Sequence, residues 1–314
     1  MSGAIHGASV SWHQPVRTTA IRPGVPLSAV VRPARPPCVF LGVMLAVLGV
    51  LVAGCARPPA SDPRKAELLR QIRDAYLFNI DIANLELLSV PEIVARLDPD
   101  TSLVEVRRRM SSDFIRGFEP EGSVADVRAL GGGRGYVRLV FFGRQTLKDL
   151  RKALSDFFPP LCALAIDLRD NAGGNFEQAL RLAELFLPLG TPLALYEGRE
   201  GPALLYSTGT AAPRQERLTL LINAGTASSA ELFAGVLRWH HRAELVGVPT
   251  LGKRTVQSVV RLDQAYLLLL TTGRFLAPDG APFGVHGLTP DRPHKGDDVA
   301  SLMEPCADTK PLEP

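Results

Sequence analysis

Three side chains in the second half of this sequence could together cleave an acyl bond: Ser228, Lys253 and Gln257. A serine hydroxyl is a weak nucleophile and needs a base. A lysine amine serves as that base only while neutral, and apolar surroundings favour the neutral form because desolvation penalises the ammonium. Leu251 and Val256 flank Lys253 and are consistent with such a pocket. A glutamine can accept a hydrogen bond from the amine and orient it without adding charge, whereas a carboxylate there would favour the ammonium. Four residues of straight strand span about 13 Å, so the chain must turn or coil between Lys253 and Gln257 if the two are to meet.

Each of these residues also has a plainer explanation. Ser228 stands three residues before Glu231, which is the spacing of a helix capping box. A lone loop lysine is usually solvated, and Gln257 would then be an ordinary surface strand residue. His240, His241 and His286 offer a different base. Adjacent histidines at a helix end more often cap it, and no acidic signature places one of them beside Ser228. No Cys, His and Glu cluster has metal-ligand spacing, so no metal or other cofactor is expected.

The elements that must position these residues are legible from period and turn chemistry. The apolar run Leu218–Ile222 leads into Asn223–Glu231, and a helical pattern runs on to Trp239. Ser228 therefore falls at a strand-to-helix junction, exposed and rigidly held. The N–H of Ser229 lies at a helix N-terminus, where the dipole suits an oxyanion donor. Ala163–Leu168 reads as a strand covered on both faces, followed by the turn Asp167–Gly174 and a helix over Asn175–Leu187. Val124–Leu130 and Tyr136–Phe142 read as strands about a glycine-rich turn. That turn has no following Lys-Ser or Lys-Thr, so it is no phosphate cradle. Pro192–Glu197 with Ala203–Ser207 forms a hairpin, Glu244–Val248 completes a further βαβ unit, and Thr255–Leu262 and Ala265–Thr272 are strands. Helices are expected over Arg64–Phe78, Ser89–Leu97 and the charged Thr101–Phe118. Repeated strand–helix alternation argues an α/β fold.

The net charge of +3 is misleading. Residues 1–54 contain Arg17, Arg22, Arg32 and Arg35 and no acid, so the remainder has no basic excess and nucleic-acid binding is not expected. Residues 1–37 read as unfolded. Cys38–Gly54 is an uninterrupted apolar run behind a basic stretch, as in an export signal. It ends in Leu51-Val52-Ala53-Gly54-Cys55, which resembles the lipobox of bacterial lipoproteins, with Cys55 as the lipid acceptor; a single spanning anchor is the other reading. Either places the rest of the chain outside the cytoplasm. There Cys162 and Cys306 are open between a bridge and unpaired thiols.

Several stretches resemble one family. NAGTASSAELFAG followed by VGVPTLGKRTVQ, the earlier LAIDLRDNAGGNFEQALRLAELFLP, the later TTGRFLAPDGAPFGVHGLTPD and the N-terminal ARLDPDTSLV are similar, in order, to the C-terminal processing peptidases, also called tail-specific proteases. The last of these matches an LDP-x-(S/T)-S signature, with Asp100 at the open position. The resemblance implies a crotonase-like α/β core with a small helical N-terminal lobe. It implies a serine endopeptidase acting on proteins or peptides, with Ser228 as nucleophile, Lys253 as base and Gln257 as its orienter. It also implies backbone oxyanion donors at Ser229 and Gly174. Ser229 stands where many members carry Ala, which should be harmless because only the amide is used. An Asp that some members carry eleven residues after the nucleophile is Trp239 here, so an acidic member is not required.

One departure concerns a PDZ domain, common in the family after the LDP signature. Leu103–Gly135 is too short for such a domain of about 80 to 100 residues, so no PDZ domain is expected and an adaptor protein is left as a partner. The expected layout is a leader over 1–55, a linker and helical lobe over 56–122, a peptidase core over 123–296 and a flexible tail over 297–314. Two other functions compete. One is a catalytically silent lipoprotein binding peptide or an apolar ligand, which needs none of the three residues. The other is a crotonase-like acyl-CoA enzyme, which an export signal separates from coenzyme A.

Overall fold

The computed structural model describes residues 62–106, 122–157, 161–284, 286–304 and 306. The leader with Cys55, and most of the helix expected over 101–118, lie outside the described residues. Every described residue falls in one compact unit, residues 56–314.

In chain order the helices are α1 (Pro63–Ala75), α2 (Ile82–Leu85), α3 (Val90–Val94), α4 (Thr146–Ser155), α5 (Phe176–Ala183), α6 (Ser229–Trp239) and α7 (Val299–Leu302). The strands are β1 (Ser102–Glu105), β2 (Val124–Gly131), β3 (Arg134–Leu139), β4 (Ala163–Asp167), β5 (Pro192–Gly198), β6 (Gly201–Tyr206), β7 (Arg217–Ile222), β8 (Ala243–Gly247), β9 (Thr255–Arg261), β10 (Tyr266–Leu276) and β11 (Arg292–Pro293). One expectation fails here. Ser102–Glu105 is a strand paired antiparallel to β10, not the start of a helix. Its Leu103 packs into the core beneath β10, Val104 pairs in register with Leu267, and tertiary pairing overrides the local charge pattern.

The strands form two sheets, and the larger has the order β11-β8-β7-β4-β3-β2. Its pairs from β3 to β11 are parallel, while β2 joins as the antiparallel arm of a hairpin. β4 is buried along its whole length, as its apolar run Ala163–Ile166 requires, and Asp167 at its end is buried too. Leu164 and Ile166 meet Leu182, Leu220 and Phe233 on one face. Ala163 and Ala165 meet Leu221, Val246, Val299 and Leu302 on the other. Residues from 297 on were expected to be a loose tail; instead α7 covers that second face, and Cys306 is disulfide-bonded to Cys162 with their Cα atoms 6.1 Å apart.

The second sheet runs β1-β10-β5-β6, with β9 also paired to β10. The helical lobe is no separate body. Leu68, Leu69, Ile72, Tyr76, Leu85, Val90 and Ile93 share one core with Leu268 and Leu270 of β10. At about 25 cal/mol per Å² of apolar area, such burial fixes the loop before β1 against β9 and β10. No described helix is long and apolar enough to cross a membrane.

Candidate active site

β4 and β7 are neighbouring parallel strands, so the turns at their C-terminal ends lie side by side, where open α/β sheets bind ligands. Side-chain amides stitch the two turns together. Asn223 Oδ1 accepts from the Asp170 N–H at 2.9 Å, and Asn223 Nδ2 donates to Asp170 Oδ1 at 2.8 Å. Thr226 Oγ1 donates to the Leu168 carbonyl at 2.8 Å, and the Ala227 N–H donates to that of Asn171 at 2.9 Å.

Ser228 is the N-cap of α6 and has φ 53° and ψ −118°. Positive φ in a residue with a Cβ costs roughly 1–3 kcal/mol and persists only where the surroundings impose it. A strained strand-to-helix turn presents the side chain outward. Glu231 holds that turn by accepting from the Ser228 N–H at 2.9 Å, half of a capping box. Room for the turn comes from Gly173, whose φ is +98°; a Cβ there would lie 2.8–2.9 Å from Ala227 O, Ser229 N and Ser228 Cβ.

Two amides near Ser228 have no acceptor among the described residues. The Ser229 N–H opens α6 and has no carbonyl four residues back within the helix. In the glycine turn, Gly173 donates its N–H to Asn171 Oδ1, while Gly174 has no backbone or side-chain acceptor among the described residues. The peptide planes around Gly174 are pinned by Phe142, which donates to Gly173 O and accepts from Asn175 N. Ser229 Oγ donates to Gly174 O at 2.9 Å, tying the residues of the two amides together.

The segment with Lys253 runs in coil from β8 to the start of β9 at Thr255, so the chain leaves the straight strand at Lys253 and Arg254. Lys253 Nζ donates to Gln257 Oε1 at 2.9 Å. Glu231 brings this segment to Ser228. Its Oε2 accepts from the N–H of Lys253 at 2.9 Å as well as from that of Ser228, and its Oε1 accepts from the N–H of Gly252 at 2.7 Å and from Thr250 Oγ1 at 2.5 Å. One buried carboxylate, 4% exposed, thus bridges the Ser228 turn and the lysine loop.

The surroundings of Lys253 differ from the apolar pocket expected. Leu251 is 61% exposed and Val256 packs into the main core. The lysine side chain is 28% exposed, and Asp100 Oδ1 stands 3.8 Å from its Nζ. Asp100 Oδ2 also accepts from Thr255 Oγ1 at 2.5 Å, and its carbonyl accepts from Gln257 Nε2. Sequence reasoning missed both carboxylates. Glu231 was visible only as a capping partner, and Asp100 only as part of a signature far upstream.

Two of the three histidines are elsewhere, and the third, His286, comes beside Gly252 through its backbone. His240 and His241 follow α6 at the end opposite Ser228, about 16 Å away along an eleven-residue helix. His240 Nε2 is bonded to the Pro192 carbonyl at 2.7 Å, and the His286 side chain is exposed.

The end of β4 carries a separate charged knot. Asp167, fully buried, accepts from Tyr136 Oη at 2.8 Å and from Arg169 Nη2 at 2.7 Å. Its hydrogen bonds hold the Arg169 guanidinium above the usual range, and burial, then the bond to Asp167, raises the Tyr136 phenol.

Comparison with known proteins follows the same span. Residues 121–294, more than half of the chain, match the family described as Peptidase family S41. The chain is 32% identical over 211 residues to Carboxyl-terminal-processing peptidase 2, chloroplastic, of Arabidopsis thaliana, covering 65% of this chain and 40% of that protein. It is 32% identical over 163 residues to the Carboxy-terminal-processing protease of Bartonella bacilliformis, covering 50% of this chain and 38% of the relative. The chain thus spans well under two thirds of either relative. Among solved structures, a lipoprotein from Streptococcus agalactiae shares the fold at TM-score 0.59 and 18% identity, over 78% of this chain and 94% of that one.

Proposed function

The chain belongs to peptidase family S41, and from that premise we propose a serine endopeptidase, tethered outside the cytoplasm, that cleaves proteins or peptides through an acyl-enzyme. Ser228 Oγ attacks the peptide carbonyl carbon while Lys253 takes its proton. The N–H groups of Ser229 and Gly174 hold the oxyanion. The intermediate then expels the amine, which leaves with the proton held on Lys253, and water hydrolyses the ester with Lys253 again as base. Gln257 orients the amine throughout.

The observation that carries this reading is the pair of contacts on Lys253. Its Nζ meets Gln257 at 2.9 Å, and its backbone is bound by the same carboxylate that binds Ser228. A surface lysine needs neither. Tethering rests on Leu51–Cys55, with Cys55 taking the lipid, and the bridge between Cys162 and Cys306 agrees with an oxidising compartment.

A fluorophosphonate probe tests the proposal on the full-length chain. Ser228 is labelled in the native protein and not in Ser228→Ala. Lys253→Arg is also silent, because a guanidinium stays protonated. Gln257→Ala labels more slowly but measurably. Native-rate labelling of Lys253→Arg removes Lys253 as base, and no labelling of the native chain leaves a silent peptide-binding lipoprotein of the same fold.

A further inference from the structure

We propose that Ser229 is, through its hydroxyl, a positioning residue that acts through Gly174 to fix the separation of the two oxyanion donors; the inference rests on the reading of Ser228 given above. Alanine should serve equally well at 229 if only the amide is used, but in this chain the hydroxyl is engaged. The two donors belong to different turns. The Ser229 N–H ends the turn from β7 into α6, and the Gly174 N–H lies in the turn from β4 into α5. Lower down, the turns are joined by the bonds of Asn223 with Asp170, Thr226 with Leu168 and Ala227 with Asn171. Past Ala227 and Asn171, one hydrogen bond crosses between them among the described residues. It is the one from Ser229 Oγ to Gly174 O, 2.9 Å long. Ser229 is only 2% exposed, so its hydroxyl faces protein and its proton goes to that carbonyl.

The glycine turn needs such a hold. Gly173 and Gly174 follow one another with φ of +98° and +137°, and glycine backbone rotates at little steric cost. Gly174 is exposed, as a donor to substrate must be, so it is not locked by burial. Phe142 grips the turn from the β3 side, donating to Gly173 O at 2.9 Å and accepting from Asn175 N at 2.6 Å. Those bonds fix the turn to the end of β3, not to α6. Gly174 O has no other donor among the described residues. Without the hydroxyl that carbonyl turns to water, and the gap between the two N–H groups is set only by the bonds lower down. Oxyanion donors work when they lie about 2.7–3.1 Å from the place the oxygen will take, so slack in their separation weakens the transition state and leaves ground-state binding alone. The slack is small, because Gly173 still packs against the backbone of 227–229. The expected loss is therefore about tenfold, short of the roughly 100- to 1000-fold that removing a donor outright costs.

The test is fluorophosphonate labelling of Ser228 in the full-length chain, whose phosphoryl oxygen takes the place of the oxyanion. The maximal rate and the half-saturating probe concentration are measured across pH for the native protein, Ser229→Ala and Ser229→Thr, with thermal unfolding alongside. In Ser229→Ala the maximal rate should fall about tenfold. The half-saturating concentration should stay within about twofold, and the rising limb of the pH profile should not move, because Lys253 is untouched. Ser229→Thr keeps the hydroxyl and should restore the rate to within about threefold of native. A maximal rate in Ser229→Ala within about twofold of native overturns the proposal and leaves the hydroxyl incidental. A slower Ser229→Ala whose limb or half-saturation has shifted also overturns it, since the hydroxyl then acts on the base or on binding. So does a Ser229→Thr variant with native Tm that stays as slow as Ser229→Ala. Should Ser229→Thr fail to fold, the Ser229→Ala outcomes decide alone. Native protein that never labels defeats the peptidase reading instead, so the two failures are distinct.

Discussion

Replacing Glu231 by glutamine should disconnect the two halves of the site with almost no change in volume. The native carboxylate accepts four hydrogen bonds, two on each oxygen, from Ser228 N, Lys253 N, Gly252 N and Thr250 Oγ1. A carboxamide has one accepting oxygen and one donating NH₂. Whichever way it is turned, two donors face the NH₂ and lose their acceptor in a site only 4% exposed. Hydrogen bonds to charged groups contribute about 1.5–3 kcal/mol each, and partial relaxation recovers some, so the expected loss is about 3–5 kcal/mol. For a body of this size each kcal/mol lowers Tm by roughly 2–4 °C, giving a fall of about 6–20 °C. The chemical cost is separate. With the Ser228 N–H released, its positive φ relaxes, and with the Lys253 N–H released the base moves; a displacement of about 1 Å costs on the order of 100-fold. Thermal unfolding measures the first effect and the rate of fluorophosphonate labelling the second. Native Tm together with native labelling in Glu231→Gln would show that the bridge holds neither turn.

Two further outcomes follow from packing and titration. Gly173→Ala should lose about 2–4 kcal/mol and nearly all labelling, because φ +98° suits glycine and the new Cβ meets the backbone of 227–229, which cannot swing aside; native labelling in that variant would refute the close approach. Tyr76, 3% exposed, has its phenol pushed up to about 12, chiefly by burial, against about 10 when unfolded. The folded state thus keeps a proton the unfolded chain gives up, so this contribution is whole below about pH 10 and lost as pH rises towards 12. Urea midpoints from pH 9 to 12 should fall less steeply in Tyr76→Phe, and equal slopes would count against the assignment.

What was legible in the sequence divides along physical lines. β4 and β7 announce themselves because strands covered on both faces need largely apolar runs, and α6 because a capping box opens it. The contact of Lys253 with Gln257 was foreseeable from chemistry that required the chain to turn or coil, and Lys253 and Arg254 are coil. Asp100 beside Lys253 was not, since 153 positions separate them and only the pairing of β1 and β9 with β10 brings them together. Ser102–Glu105 was misjudged for a related reason: four residues of mixed polarity have no period strong enough to overrule a partner strand. The segment from 297 on was read from its polar composition, which hides that Val299, Leu302 and Met303 fall together against β4 and β8.

The plain and the catalytic explanations of Ser228 were weighed as rivals, and the geometry shows why they need not be. A capping carboxylate at the third helical position serves the helix with one oxygen, because one N–H of the first turn is all it must satisfy. The second lone pair on that oxygen and the whole of the other oxygen are free to bind something else, and in this chain both are taken by the loop carrying Lys253. On the proposed mechanism, capping is then the means by which the site is assembled. The same carboxylate that satisfies the strained Ser228 amide also holds the Lys253 backbone, and a helix that frayed at its N-terminus would lose both contacts at once. That coupling explains why the serine can sit in an unfavourable backbone conformation without drifting out of it. It also means that helix stability and labelling rate should fall together across substitutions at position 231, whereas substitutions at Gln257, which touch no helix amide, should lower the rate alone.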